Sequence, residues 1–469
     1  MAENYKSINK VAFATIAGTL GVQFVNFLLI PILTHALGTS GFGIVSLYTV
    51  WCSLSVSICG LQTSQSIIYI IQEKSVDLRK IYYANMLTCS LISFFIFTII
   101  SFVLYYVLRK SLEVSSILIL FVFIQSFGNY CVNYVNTIYT QEQTPLKQVF
   151  LSLFISITTA VLSIILVFNI DDYDEKYWGR IIGYALPYFI CGIAITSFYV
   201  FPFVKQIRFK YIKEYLPICL PIILHSIAGM IFSQSDRVML GYIKGTSEVG
   251  LYSFAFSIAS LLSVVWVTIN NFFQPFFFSY MKKYDYKLLD EKVNNICILY
   301  TCIYLIFLFL APILMPMYGG KEFEDSVTYL PVLILGVYFN FLYMFNSNYE
   351  IYYKKTGMIA RATIFSACLN VILNFILIPK FSIMGASLAT LVSNIGLFLL
   401  HFYSAMQISV TKKVKYVFKI KKILLYAFFV ILVTFLSYFL REYIFFQIFS
   451  SLIIGLYILV IMIKRKSII

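Results

Sequence analysis

Charged side chains are scarce in this chain. They make up 12% of residues, and 61% are hydrophobic; an ordinary soluble domain carries about a quarter charged, so that class is excluded. Acids are scarcer than bases, 20 Asp and Glu against 35 Lys and Arg, for a formal net charge of +15. The surplus does not indicate a nucleic-acid binder, because the bases cluster at the ends of apolar runs. CxxC spacings are missing, and the nine cysteines all fall inside apolar runs. They have no histidine partners at metal-ligand spacing and read as small packing residues. Walker A and GxSxG motifs are also missing, as is any connection long enough to house a glycosyl-transfer site. Neither an enzyme nor a bound cofactor or metal is expected, so any work must come from ion gradients or substrate concentration. A cleavable signal peptide is not expected either. Residues 1–10 are polar, and the first apolar run is long and lacks an A-x-A-like end.

Long apolar runs, by contrast, fill the chain. A spanning helix needs about 20 mostly apolar residues to cross about 30 Å of hydrocarbon. Fourteen such runs lie near 11–33, 43–71, 81–108, 115–140, 148–170, 181–204, 216–241, 250–277, 293–316, 327–351, 359–379, 383–407, 423–440 and 443–463. Counted from a cytoplasmic N-terminus, the span ends on one side hold 26 of the 35 Lys and Arg. Cationic loops resist translocation, so this bias sets orientation. The expectation is an all-α polytopic membrane protein of about 14 transmembrane helices with both termini cytoplasmic. The basic clusters would be attracted to anionic membrane lipids. Aromatics reach 18%, with 37 Tyr, and pairs such as Tyr82 and Tyr83 near span ends suit an interfacial belt.

An internal repeat organises these spans. Residues 38–46 (GTSGFGIVS) and 245–253 (GTSEVGLYS) each stand where one span closes and the next opens. An even number of spans separates them, so spans 1–6 and 7–12 read as two six-helix lobes in parallel orientation. Paired lobes of this kind place a substrate site at the repeat interface, a central cavity. The expected divisions are an N-lobe over 1–204, a cytoplasmic linker over 205–215 and a C-lobe over 216–407. A basic amphipathic segment over 408–422 would lie on the membrane, and two extra helices with a basic tail fill 423–469.

Polar residues inside spans must face protein or water, because hydrocarbon offers them no partner. Several recur at helical spacing. Span 1 carries Gln23 and Asn26, span 4 carries Asn129, Asn133 and Asn136, and span 7 carries His225 and Asp236. Span 10 carries Asn340, Tyr343 and Glu350; Gln62 and Gln65 stand in span 2 and Asn270 in span 8. Interhelical hydrogen bonds explain any one of them at about 0.6 kcal/mol per contact. As a set, amides that both donate and accept suit a hydroxyl-rich ligand. Asp236 and Arg237 stand near the end of span 7, as a pair at the interface or as a gate or anion contact. Glu350 lies four residues before Lys354, the spacing of a helical ion pair. His225 could titrate; His35 and His401 are scattered.

Three stretches carry a family likeness: 24–48 (FVNFLLIPILTHALGTSGFGIVSLY), 235–257 (SDRVMLGYIKGTSEVGLYSFAFS) and 370–394 (NVILNFILIPKFSIMGASLATLVSN). They resemble the polysaccharide-transporter (Wzx-like) flippases of the multidrug/oligosaccharidyl-lipid/polysaccharide exporter superfamily. The matching positions are Asp236, Arg237, Gly241, Gly250, Asn370, Asn374, Pro379, Gly385 and Ala386. The resemblance implies alternating access and an undecaprenyl-diphosphate-linked oligosaccharide, an O-antigen or capsular repeat unit, moved across a bacterial inner membrane. It also implies working alongside a polysaccharide polymerase and chain-length machinery. Such flippases are expected to set cations in the first lobe's cavity, yet spans 1 and 2 have none between Lys10 and Lys74. Lys10, Arg237, Lys355 and Arg361 remain as candidates for the diphosphate. A multidrug or cation antiporter of the same superfamily and a peptidoglycan-precursor (lipid II) flippase are the alternatives.

Overall fold

The computed structural model describes residues 2–108, 115–413, 416–440 and 443–464. Among them every regular element is helical. The α-helices are α1 (Ala2–Cys59), α2 (Ser66–Glu73), α3 (Val76–Leu108), α4 (Ser116–Gln141), α5 (Pro145–Phe168), α6 (Lys176–Tyr199), α7 (Phe209–Lys244), α8 (Thr246–Lys283), α9 (Tyr286–Gly319), α10 (Leu330–Tyr352), α11 (Thr356–Lys412), α12 (Ile420–Leu440) and α13 (Ile444–Lys464). A helix satisfies every backbone N–H and C=O within one segment, which is what an apolar solvent demands. Eleven helices are long and apolar enough to cross a membrane, and α13 contributes a shorter apolar stretch, Ile444–Ile458. Two of the eleven are each a pair of helices meeting at one non-helical residue, Gly38 in α1 and Ser382 in α11. These two breaks, together with α13, account for the fourteen apolar runs.

The repeat has a backbone counterpart. Gly38 sits at φ 61°, ψ −174°, and Gly245, its equivalent before α8, at φ 102°, ψ 175°. Both corners thus use a positive-φ, extended-ψ turn that suits glycine. No atom lies within 4 Å of a Cβ built at Gly245, so backbone conformation rather than space favours glycine there.

The chain forms two compact units, 1–230 and 231–469. In the first, α6 packs close on α5, where a Cβ at Gly183 would fall 2.5 Å from Ser163 Cα. Small residues permit this approach. The second span breaks after Cys59, where Leu61 and Gln62 take φ of 50° and 51°. Tyr130 of α4 enters that break, and its hydroxyl meets Thr63 Oγ1 at 2.5 Å and Ser90 Oγ at 3.1 Å. Ser90 in turn donates to Gly60 O at 2.9 Å.

The stretch 205–215 is docked onto this unit. Asn85 of α3 accepts from Arg208 N at 2.7 Å and donates to Gln206 O at 3.3 Å. Glu214 takes Lys74 Nζ and the Tyr82 hydroxyl, both at 2.5 Å, and Tyr215 donates to Glu73 at 2.7 Å. The Glu214 carboxylate holds the Lys74 ammonium above its usual range.

In the second unit α10 is the central helix, buried along nearly its whole length and packed by α8, α11 and α12. The segment after α11, expected as an amphipathic helix on the membrane, differs. Residues 416–419 are not helical, and Val417 and Phe418 are buried. Phe418 stacks on Phe277 (6.0 Å, 16°) and meets Phe345 and Tyr349. The lysines there find an acid instead: Lys419 and Lys422 lie 2.8 and 3.3 Å from Asp290 of α9. Alternation of apolar and basic residues reads as an amphipathic surface helix, but here a non-helical segment turns Val417 and Phe418 into the core.

Candidate functional site

Each unit contributes its own polar residues. In the first, Gln23 and Asn26 on α1 are exposed, and so is Asn133 on α4; Asn129 is half-buried. Asn133 Nδ2 donates to Asn129 Oδ1 at 2.9 Å, and Asn136 Nδ2 to Ser152 Oγ at 3.2 Å. The Asn136 Oδ1 atom is buried without a partner. Gln62 and Gln65, at the break after α1, are half-buried. His225 on α7 is exposed. The spacing of these amides thus leaves several of them off the packed face of their helices, with hydrogen-bonding capacity to spare. Lys10 lies in α1 with its side chain outside the described residues.

The first unit also holds a buried cation that no sequence pattern singled out. Arg180 is 9% exposed. Its Nη1 donates to Ser163 Oγ at 2.8 Å, its guanidinium lies 4.5 Å from the Tyr184 ring centroid, and its Nε has no partner. No carboxylate pairs with it among the described residues. The signal available in the sequence was its place one residue past Gly179 in a G-x-x-x-G stretch of α6, which marks a close-packed face.

In the second unit, Asp236 and Arg237 do not form the interfacial pair that their adjacency suggested. Asp236 is 2% exposed. Its carboxylate accepts from the Tyr252 hydroxyl and from Thr390 Oγ1, the latter at 3.4 Å. Arg237 turns away, bonding Gln234 and lying 4.6 Å over the Phe256 ring. Beside Asp236, Ser235 Oγ donates to Asn370 Oδ1 at 2.9 Å, and Asn374 Nδ2 to the same oxygen at 3.0 Å. Motif residues of 235–257 and 370–394 thus meet in two neighbouring polar sets, Asp236 with Tyr252 and Thr390, and Ser235 with Asn370 and Asn374.

The other buried carboxylate is Glu350. The expected pair with Lys354 does not form. α10 ends at Tyr352, and Lys354 takes φ 57° and is exposed. Glu350 instead meets His401 of α11, Oε2 to Nδ1 at 2.8 Å, with the two side chains 0% and 1% exposed. Tyr343 stacks on the imidazole at 4.9 Å and 17°. Asn340 Oδ1 is buried without a partner. Asn270 accepts from Asn348 at 2.7 Å, and Asn348 from Gln274 at 2.8 Å, an amide chain between α8 and α10. Lys355 and Arg361 stand exposed at the start of α11.

Helices of this number, length and hydropathy, carrying polar side chains inside the apolar runs, define a multi-pass membrane fold. The chain is similar to the solved lipid II flippase MurJ in its inward closed conformation, with a TM-score of 0.70 at 15% identity, over 96% of this chain and 99% of that one. A family model described as "Polysaccharide biosynthesis protein" matches residues 8–281, and the chain belongs to that family. A second model, MatE, matches residues 221–376. An uncharacterized membrane protein of Haemophilus influenzae is 25% identical over 404 residues, 81% of this chain and 94% of the relative. The probable low-salt glycan biosynthesis flippase Agl15 of Haloferax volcanii is 25% identical over 176 residues, 36% of this chain and 37% of its own.

Proposed function

We propose that this chain is a flippase that moves an undecaprenyl-diphosphate-linked oligosaccharide, an O-antigen or capsular repeat unit, across the bacterial inner membrane. The observation that carries this reading is the match to the polysaccharide biosynthesis family over residues 8–281, on a chain whose first unit leaves the amides Gln23, Asn26 and Asn133 exposed. Exposed amides inside apolar runs are costly in lipid and useful against sugar hydroxyls. Gln62, Gln65, Asn129, Asn136 and His225 are the further polar candidates of the first unit; Asn270, Asn340 and Tyr343 are those of the second. Exposed Lys355 and Arg361 suit the diphosphate better than Arg237, whose guanidinium is already engaged. The lipid tail stays in the bilayer while the saccharide passes through by alternating exposure. Both termini would be cytoplasmic, with a polymerase and chain-length proteins taking the product.

Deletion in the native host tests the reading. The expected result is loss of surface polysaccharide, with lipid-linked repeat units accumulating on the cytoplasmic side. Plasmid-borne wild type should restore it, and Lys355→Ala/Arg361→Ala should restore it poorly. Intact polysaccharide with altered sensitivity to cationic dyes would instead favour the antiporter, which the MatE match supports.

A further inference from the structure

A cavity of about 180 Å³ lies between α10, α11 and α12, lined by Asn346, Phe398, Leu399, Phe402, Ile423 and Leu424. Five of these six side chains are pure hydrocarbon. Apolar cavities of roughly 150 Å³ stay dry and take hydrocarbon the size of benzene. Leu399 and Leu424 are 52% and 51% exposed, each in a helix long and apolar enough to cross a membrane. The side on which they stand therefore meets hydrocarbon.

The sixth lining residue is polar. Asn346 is 0% exposed. Its Oδ1 accepts from the Tyr416 hydroxyl at 2.6 Å, while its Nδ2 is buried without a partner. That nitrogen can donate two hydrogen bonds, and a buried donor in an apolar wall is costly unless something accepts from it. The cavity therefore suits an occupant that joins hydrocarbon to a hydrogen-bond acceptor.

The mouth adds positive charge. Lys421 is exposed in the first turn of α12, three residues before Leu424 and so on the same face, about one turn away. Lys419 and Lys422 share Asp290, whereas among the described residues no carboxylate lies within ion-pair distance of Lys421. Tyr403, next to Phe402, is 61% exposed, and tyrosines of this kind settle where hydrocarbon meets headgroups.

We propose that this cavity binds an anionic glycerophospholipid. One acyl chain lies against Phe398, Phe402 and Ile423, an ester carbonyl accepts from Asn346 Nδ2, and the phosphate sits at Lys421. Glycerophospholipids carry their ester carbonyls just inside the phosphate, which matches a donor in the wall and a cation at the mouth. A zwitterionic headgroup would bring its own cation to this lysine-rich end, where an anionic one is attracted. A polyprenyl tail suits the apolar wall but has no acceptor along its length, so the Asn346 donor selects an ester lipid. The bound lipid would tie α12 to α10 and α11. The inference does not depend on which saccharide is moved, or on whether one is.

Competitive native mass spectrometry of the full-length protein tests it. The purified chain in detergent is offered an equal mixture of diester phosphatidylglycerol and its diether analogue with the same chain length, and the first lipid retained is counted. Wild type should prefer the diester by up to about tenfold, the scale of one buried hydrogen bond. Asn346→Leu should hold the two alike. Lys421→Gln should keep the ester preference and lose a several-fold preference for phosphatidylglycerol over phosphatidylethanolamine. Equal retention of diester and diether by wild type, or an ester preference that survives Asn346→Leu, would overturn the proposal. So would undecaprenyl phosphate that displaces phosphatidylglycerol from wild type, which would assign the cavity to a polyprenyl tail. If Asn346→Leu does not fold, Leu424→Trp, which closes the half-exposed mouth, takes its place and should abolish the diester preference.

Discussion

At the residue scale, a buried charge depends on its partner more than on its surroundings. Removing one member of a buried pair leaves the other uncompensated, at about 3–5 kcal/mol. Glu350→Ala and His401→Ala should each lower stability by that order, and the double variant by clearly less than their sum. Thermal unfolding of the purified protein in detergent measures this, and additive losses would show that the pair is not coupled. Tyr130→Phe is a milder case, expected to cost about 1 kcal/mol, because it strips one hydroxyl from the Thr63–Ser90 contact at the break in the second span. The sequence pointed Glu350 at the wrong partner for a physical reason. Spacing of i and i+4 describes one continuous helix, and α10 stops before Lys354, which is held in a left-handed turn. His401 comes from another helix, and no local spacing encodes that meeting. Arg180 escaped notice for a related reason, because packing against Ser163 and Tyr184 is what takes it inside.

Whole elements were far more legible. The apolar runs long enough to span became helical, the second with a break after Cys59, because hydrophobicity and backbone satisfaction act along the segment itself. The glycine corners were legible too, through the repeated GTS motif, and they share one backbone conformation. Gly38→Ala and Gly245→Ala should therefore cost similar amounts, about 1–2 kcal/mol each, from forcing an L-residue to positive φ. Matched falls in melting temperature would support the equivalence of the two corners; a loss at one corner alone would refute it. The break at Ser382 falls between the runs 359–379 and 383–407, but no glycine marks it. Its positive φ of 49° is accompanied by a hydrogen bond from its hydroxyl to Glu248 at 3.0 Å, a contact that depends on tertiary structure. The segment after α11 shows the same limit, since Phe418 is placed by aromatic partners on α8 and α10.

For the molecule as a whole, the chain is a multi-pass membrane protein of the polysaccharide biosynthesis family with a fold similar to that of the solved lipid II flippase, and charge asymmetry offers an orientation to test. With 26 of 35 basic residues assigned to one side, reporter fusions at both termini should read as cytoplasmic. A terminus that reads as external would reverse the direction of every proposed step. The central claim is movement of a lipid-linked saccharide, and reconstitution tests it most directly. Purified protein is placed in liposomes carrying a fluorescent undecaprenyl-diphosphate-linked oligosaccharide on both leaflets, and an added membrane-impermeant quencher reports the outer fraction. The account predicts that the protected inner pool becomes accessible when the protein is present, and much more slowly with Lys355→Ala/Arg361→Ala. An inner pool that stays protected with folded wild-type protein, under an imposed proton gradient of either sign, would contradict it.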